Sequence, residues 1–179
     1  MKKKQDWIVL CVIALVAAVL LAGTNFVTKD RIERIALMEQ NASRIAALPD
    51  ALVFEEVQEE PIDGIDSCYL GTKQDGTEVG YVVQTTVKGY GGEIEVMLGV
   101  DMQGVVTGMT AGGSNFSETA GLGTRVREEA FTSTFIGLTS TPIANENVET
   151  LSGATVSSSA VIGGTAVAYD HAASHLNAQ

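Results

Sequence analysis

The chain is poor in basic residues, proline and cysteine, and each shortage limits what it can do. Its 179 residues include 11 basic and 22 acidic side chains. Residues 1–50 carry a net charge of +2, whereas residues 51–179 carry −13. A region this acidic repels phosphate backbones and anionic lipid headgroups, so no nucleic-acid partner is expected. With 3 prolines against 19 glycines, turns and close backbone approaches are expected to rely on glycine.

Cysteine-based and nucleotide-binding motifs are also missing. Cys11 lies in an apolar run and Cys68 in the acidic region, so a disulfide would join a membrane segment to a domain. The sequence has no CxxC pair, Walker loop, Rossmann fingerprint or hydrolase elbow, and no catalytic residues are predicted. His171 and His175 can share one helical face, but no nearby carboxylate or cysteine completes a ligand set. The sequence therefore predicts no metal site.

One long apolar run dominates the N-terminal end. From Trp7 to Thr28 the sequence has 22 residues without a formal charge. As a helix these residues extend about 33 Å, which is enough to cross the hydrocarbon core of a membrane. Lys2, Lys3 and Lys4 precede the run and favour a cytoplasmic N-terminus, with the acidic region extracytoplasmic (periplasmic or extracellular). The alternative is a cleavable signal peptide, although no Ala-x-Ala site follows the run.

The remaining residues predict an α+β domain behind a helical stalk. The expected parts are a transmembrane segment at 1–28, a stalk at 29–49 closed by Pro49, and a domain at 50–179. Residues 50–66 are expected to be irregular, and strands are predicted at 79–87, at 94–100 and from 105, forming an antiparallel meander or a pair of hairpins. A polar loop at 111–124 and a short helix at 125–135 precede a final helix at 156–176. On that helix, small and branched residues are predicted to pack against a flat surface: Val156, Ala160, Gly163 or Gly164, and Val167.

Two polar segments are candidates for chemistry. Residues 152–155, Ser-Gly-Ala-Thr, precede the final helix, where backbone amides and the helix dipole favour an anion such as a phosphate. The same residues also fit an ordinary helix N-cap, and both interpretations stay open. Residues 117–124 combine glycines and hydroxyls with Glu118, which also suits a surface loop. The glycine cluster at 89–92 is better explained as a turn or bulge than as a nucleotide cradle.

The order of these motifs resembles the FMN-binding domain family. The elements concerned are Gly89-Tyr90-Gly91-Gly92-Glu93-Ile94, Val100-Asp101, Glu118-Thr119-Ala120-Gly121-Leu122-Gly123 and Ser152-Gly153-Ala154-Thr155. With one N-terminal span, the chain is similar to the G subunits of Rnf complexes, which are ion-translocating ferredoxin:NAD+ oxidoreductases. It is also similar to the C subunits of Na+-translocating NADH:quinone reductases. A single span cannot form an ion pathway, so the other membrane subunits are the expected partners.

The resemblance implies covalent FMN and a set of site residues. It implies that a flavin transferase, using FAD, esterifies the FMN phosphate to Thr155. Ser152, Gly153 and Ala154 would shape the phosphate pocket, and the isoalloxazine would lie near Glu118, Thr119, Gly121, Leu122 and Gly123. Two positions depart from the family pattern, with Glu149 in place of the usual aspartate and Ala120 in place of the usual proline. The implied function is electron relay; the alternatives are an assembly subunit with a decayed flavin site or a flavin domain serving an extracellular reductase.

Overall fold

A computed structural model describes residues 6–58 and 60–177 of the chain. The chain divides into two compact units, Met1–Glu39 and Gln40–Gln179. Lys2, Lys3 and Lys4, on which the predicted membrane orientation rests, lie outside the described residues.

The first long element, α1, is a helix from Asp6 to Ala47. Its segment Trp7–Asn25 has 19 residues with a mean hydropathy of 2.7 and no part buried within the protein. A charge-free helix of that length suits a hydrocarbon environment, so the N-terminal end fits single-pass membrane anchoring. The helical continuation predicted beyond the apolar run is confirmed, and the helix ends at Ala47, two residues before Pro49.

The second unit is built on an antiparallel sheet of five strands in sequence order. The strands are β1 (Val53–Glu56), β2 (Ser67–Thr72), β3 (Glu78–Lys88), β4 (Glu93–Asp101) and β5 (Val106–Gly112). The meander predicted for β3, β4 and β5 is confirmed. The prediction that residues 50–66 are irregular is wrong for β1. This short edge strand is mostly exposed and lacks the alternating apolar pattern that would identify it.

Helix α3, from Thr155 to Asn177, packs on β3 and β4. The predicted contact face is largely wrong, because Val156 is 57% exposed and Val167 is 43% exposed. Close packing on a flat surface is confirmed at Gly164, where an added Cβ would lie 2.6 Å from Cγ1 of Val87. The buried face instead contains several hydroxyl residues, including Ser157, Ser158 and Thr165. Hydrophobic periodicity does not mark such residues as buried.

The segment between β5 and α3 contains three short helical turns in place of the single helix predicted at 125–135. They are a 3-10 helix at Gly123–Arg127, α2 at Glu129–Thr132 and a second 3-10 helix at Ser133–Phe135. Phe131 and Phe135 from these turns meet edge to face and belong to the main core between the sheet and α3. A smaller apolar cluster on the end of α1 and nearby strands comprises Ala47, Leu48, Ala51, Val82 and Met97.

Candidate cofactor-binding site

The N-terminus of α3 is held in place by hydrogen bonds from a buried serine. The hydroxyl of Ser158 donates to the carbonyl of Ala154 at 2.9 Å and accepts the N–H of Leu151 at 3.0 Å. The N–H of Ala154 in turn donates to the carbonyl of Leu151 at 2.9 Å. These bonds fix the short loop that leads into the helix. Thr155, the first residue of α3, is exposed, so its hydroxyl is accessible from solvent.

The loop before Thr155 has the features of an anion site. Gly153 adopts φ +82°, a left-handed conformation that residues with a Cβ rarely adopt. The amides of the first helical turn have no acceptor within the helix, and the helix dipole makes this end favourable for negative charge. A positive charge is also attached to the loop, because Nη1 of Arg125 donates to the carbonyl of Ser152 at 3.1 Å.

The glycine cluster forms the turn between β3 and β4. The N–H of Gly89 donates to the carbonyl of Gly92 at 2.8 Å, which confirms the predicted turn. Sequence reasoning did not include this turn in the cofactor site, but the structure brings it against α3. The N–H of Tyr90 donates to Oγ of Ser157 at 3.3 Å, so the backbone of the turn contacts the first turn of the helix.

The side chain of Glu118 links the glycine turn at 89–92 to helix α3 through hydrogen bonds. One of its carboxylate oxygens, Oε1, accepts the N–H of Gly91 at 2.9 Å, and the other, Oε2, accepts the hydroxyl of Ser157 at 2.8 Å. The carboxylate lies so close to the backbone that a Cβ added at Gly89 or at Gly123 would overlap it. The glycines on both sides of Glu118 therefore make room for a single carboxylate that links the turn, the 117–124 loop and α3.

The glycine turn, the 117–124 loop and the start of α3 line a pocket of about 430 Å³ that is open to solvent. This volume lies within the usual range for small-molecule sites, which is about 300–1,000 Å³. Seven of the nine predicted cofactor residues line it: Glu118, Thr119, Leu122, Gly123, Gly153, Ala154 and Thr155. The other two, Ser152 and Gly121, belong to the same loops but are not part of the lining. The N–H of Gly121 donates to Oγ1 of Thr124 at 2.9 Å.

Three further lining residues are not among the nine predicted cofactor residues, namely Tyr90, Val156 and Ser157. Tyr90 is 77% exposed and Leu122 is 47% exposed, and with Val156 they form an apolar rim around the pocket. The sequence signal for Tyr90 was an aromatic residue inside a glycine cluster. The structure adds that Tyr90 is exposed beside other large apolar residues, and such patches often mark a binding site.

The pocket suits a ligand with one anionic end and one flat apolar end. The helix N-terminus, the Thr155 hydroxyl and the nearby Arg125 provide for a phosphate. The rim of Tyr90, Leu122 and Val156 provides apolar contact for an aromatic ring system. These residues fit FMN. The two departures from the family pattern, Ala120 and Glu149, are both exposed.

The structure also contradicts the expectation that no cysteine lies near the two histidines. No cysteine was expected near His171 and His175, but the sulfur of Cys68 lies within 4.8 Å of a ring nitrogen of each. The error arises because β2 carries Cys68 and α3 carries the histidines, and only the packing of the helix on the sheet brings them together.

Comparison with known proteins agrees with this assignment. Residues 89–170 match the FMN-binding domain and residues 8–44 match the RnfG N-terminal region. The G subunit of the Na+-translocating ferredoxin:NAD+ oxidoreductase complex of Acetobacterium woodii is 34% identical, with 91% of each chain covered. The G subunit of the ion-translocating oxidoreductase complex of Methanosarcina acetivorans is 31% identical, covering 92% of this chain and 91% of that one.

Solved structures share the fold. The C subunit of the Na+-translocating NADH-quinone reductase of Parabacteroides distasonis superimposes with a TM-score of 0.54 at 18% identity, covering 70% of this chain and 74% of that one. NqrC of Shewanella oneidensis gives 0.51 at 16% identity, covering 76% and 74%. The α+β architecture, the pocket between the glycine turn and α3, and these similarities lead to one conclusion. The chain belongs to the family of G subunits of Rnf-type ion-translocating oxidoreductase complexes, with an FMN-binding domain.

Proposed function

We propose that this protein relays electrons within a membrane-bound ferredoxin:NAD+ oxidoreductase complex, carrying FMN esterified to Thr155. The observation that carries the proposal is the position of Thr155. It is the first residue of α3, it is exposed, and it lines a pocket that combines a helix N-terminus with an apolar rim. Bound FMN supplies a redox group that accepts and passes on electrons.

Each part of the pocket has a separate role in holding the cofactor. The amides at the start of α3 and the charge of Arg125 stabilise the phosphodiester, since both favour negative charge. Gly153 allows the phosphate to approach the backbone because it has no side chain. Tyr90, Leu122 and Val156 contact the ring system, and Glu118 positions the glycine turn that carries Tyr90.

Attachment requires a separate flavin transferase and FAD. The Thr155 oxygen attacks the phosphorus on the FMN side of the FAD pyrophosphate. The pyrophosphate P–O bond breaks, AMP leaves, and the hydroxyl proton is released. The exposure of Thr155 gives a transferase access to this oxygen. Since one span cannot conduct ions, the ion pathway lies in other membrane proteins of the complex, and this chain supplies only the redox group.

The covalent link is tested on the full chain, produced together with a flavin transferase and purified in detergent. We expect a fluorescent band after denaturing electrophoresis and an intact mass increased by one FMN less one water. Thr155→Val keeps the side-chain shape but removes the oxygen, so it should lose both signals. Ser159→Ala is the matched control, because Ser159 is an exposed hydroxyl residue one turn further along α3. Retention of covalent FMN in Thr155→Val would contradict the attachment site, and an unmodified wild type would support a decayed flavin site.

A further inference from the structure

The strongest unassigned feature is a cluster of three side chains with metal-ligating atoms. The ligand atoms of Cys68, His171 and His175 all lie within 4.8 Å of one another. Cys68 is on β2, 2% exposed, and His171 is on the inner face of α3, 9% exposed. All three residues lie outside residues 89–170, so the FMN-binding domain match does not account for them.

The two histidines are arranged as a metal would require. Their Nε2 atoms face each other at 3.3 Å. A tetrahedral Zn²⁺ with Zn–N bonds of about 2.0–2.1 Å places two histidine nitrogens about 3.3–3.4 Å apart. The same geometry needs about 3.6 Å between sulfur and nitrogen. The sulfur lies within 4.8 Å of both nitrogens, so it must approach them by no more than about 1.2 Å.

The alternative explanation is a hydrogen bond between the two imidazoles, with no metal. His175 stacks on Tyr81, with centroids 5.1 Å apart, and meets His171 edge to face at 4.8 Å. The stacking on Tyr81 helps to orient the His175 ring, whose Nε2 lies 3.3 Å from Nε2 of His171. A hydrogen bond accounts for the nitrogen pair, whereas a thiol within 4.8 Å of both nitrogens supplies a third ligand of the type that zinc sites use. This group of three ligand atoms therefore favours an ion.

The surroundings favour a cation. A small pocket of about 190 Å³ is lined by Cys68 together with three acidic residues, Glu56, Glu60 and Asp66. Residues 51–179 carry −13, so the electrostatic field of this region attracts positive ions. Within the described residues the group contains three protein ligands, which leaves a fourth position for water.

We propose that Cys68, His171 and His175 form a site for Zn²⁺ or a similar transition-metal ion. On binding, the thiol loses its proton to solvent and each histidine ligates through Nε2 as the neutral ring. The ion then links β2 to the last turns of α3. Because His171 follows Thr155 by 16 residues on one helix, the two sites are about 24 Å apart along the axis. The metal site is therefore distinct from the flavin pocket and stabilises the far end of the same helix.

The chain is well suited to a direct test, because it contains only two cysteines and two histidines. The full chain is purified in detergent with an affinity tag that lacks histidine, stripped with a chelator, and titrated with Co²⁺. We expect one equivalent to bind, with the charge-transfer band of a cobalt thiolate and the visible bands of a four-coordinate ion. Zn²⁺ should displace the Co²⁺ and remain bound at one equivalent after gel filtration.

Variants decide which atoms bind the ion. Cys68→Ser should abolish the thiolate band and weaken Zn²⁺ binding by more than about 10-fold, and His171→Ala or His175→Ala should weaken it similarly. Cys11→Ser is the matched control and should behave as wild type. Circular dichroism verifies that each variant is folded. Absence of the thiolate band in wild type, or unchanged Zn²⁺ binding in folded Cys68→Ser, would overturn the proposal.

Discussion

The carboxylate of Glu118 accepts a hydrogen bond from the hydroxyl of Ser157 at 2.8 Å, and both residues line the candidate cofactor pocket. The same carboxylate accepts the N–H of Gly91 at 2.9 Å. One acidic side chain therefore connects the β3–β4 turn to the first turn of α3. Glu118 also lines the pocket, so its predicted position near the isoalloxazine stays a prediction, and its contacts add a positioning role within the protein.

Removal of this link should destabilise the domain. In Glu118→Ala, the Gly91 N–H and the Ser157 hydroxyl lose a charged acceptor, which costs about 1–3 kcal/mol of unfolding free energy. Chemical denaturation monitored by circular dichroism measures the change. Glu146→Gln is the control, since Glu146 is exposed and its variant should stay within about 0.5 kcal/mol of wild type. Equal stability of Glu118→Ala and Glu146→Gln would show that the link contributes little.

Two adjacent glycines in α3 should respond to alanine in opposite directions. A Cβ at Gly164 would lie 2.6 Å from Val87 Cγ1 and 3.0 Å from Thr85 Oγ1, whereas none of the described atoms lies within 4 Å of a Cβ at Gly163. Gly164→Ala should therefore lose about 1–3 kcal/mol through overpacking. Gly163→Ala should gain up to about 1 kcal/mol, because alanine favours the helix more than glycine does.

Thermal unfolding of this pair tests the orientation of α3 on the sheet. The comparison uses the same substitution at neighbouring positions, so differences in side-chain chemistry cancel. A stabilising Gly164→Ala together with a destabilising Gly163→Ala would mean that the helix presents a different face to β3.

The pH dependence of stability should show a contribution from Tyr169. Burial raises the pKa of its phenol above 10.0, and the negative charges of Asp170 and Asp101 raise it further. The hydroxyl also donates to the carbonyl of Gly104 at 3.0 Å. Above about pH 10 the unfolded chain loses this proton first, so the contribution of Tyr169 is complete below that pH and declines as the pH rises through the folded-state pKa.

Comparison with Tyr169→Phe isolates this group. The variant should be less stable at neutral pH by about 1 kcal/mol, because it lacks the hydrogen bond to Gly104. The difference between wild type and variant should shrink above about pH 10. Tyrosinate absorbance should also lose one late-titrating step in the variant. A difference that grows with pH would contradict the raised pKa.

Membrane orientation can be tested with reporter fusions. We expect alkaline phosphatase fused after Gln179 to be active, because the acidic domain is proposed to lie outside the cytoplasm. A green fluorescent protein tag that folds only in the cytoplasm should be dark at the same position. Deletion of residues 1–28 should reverse both readings, since the apolar segment Trp7–Asn25 is then missing. Active phosphatase in the deletion variant would indicate that another segment directs export.

Local signals explain what the sequence could predict. The turn at 89–92, the strands β3 and β4 and the start of α3 were predictable because alternation, glycine and hydroxyl residues act over a few positions. Seven predicted cofactor residues meet in one pocket because their motifs lie at the ends of these elements.

Long-range packing explains what the sequence could not predict. Ser157 and Ser158 are buried because their hydroxyls have partners in distant segments or in the preceding loop. Tyr90 joins the pocket only because the β3–β4 turn lies against α3. Cys68 meets His171 only through the pairing of helix and sheet, and no spacing rule connects residues so far apart in sequence.

The hydrogen bonds of Ser158 restrict how FMN attached to Thr155 could move. They fix the residues before the helix, and α3 itself packs against β3 and β4, so these contacts restrain the backbone at the proposed attachment point. Displacement of the flavin ring would then come from rotation about single bonds in the phosphoester and the sugar-alcohol chain. The distance over which electrons are exchanged would be set by the length of that chain, and the protein would act as its stationary pivot.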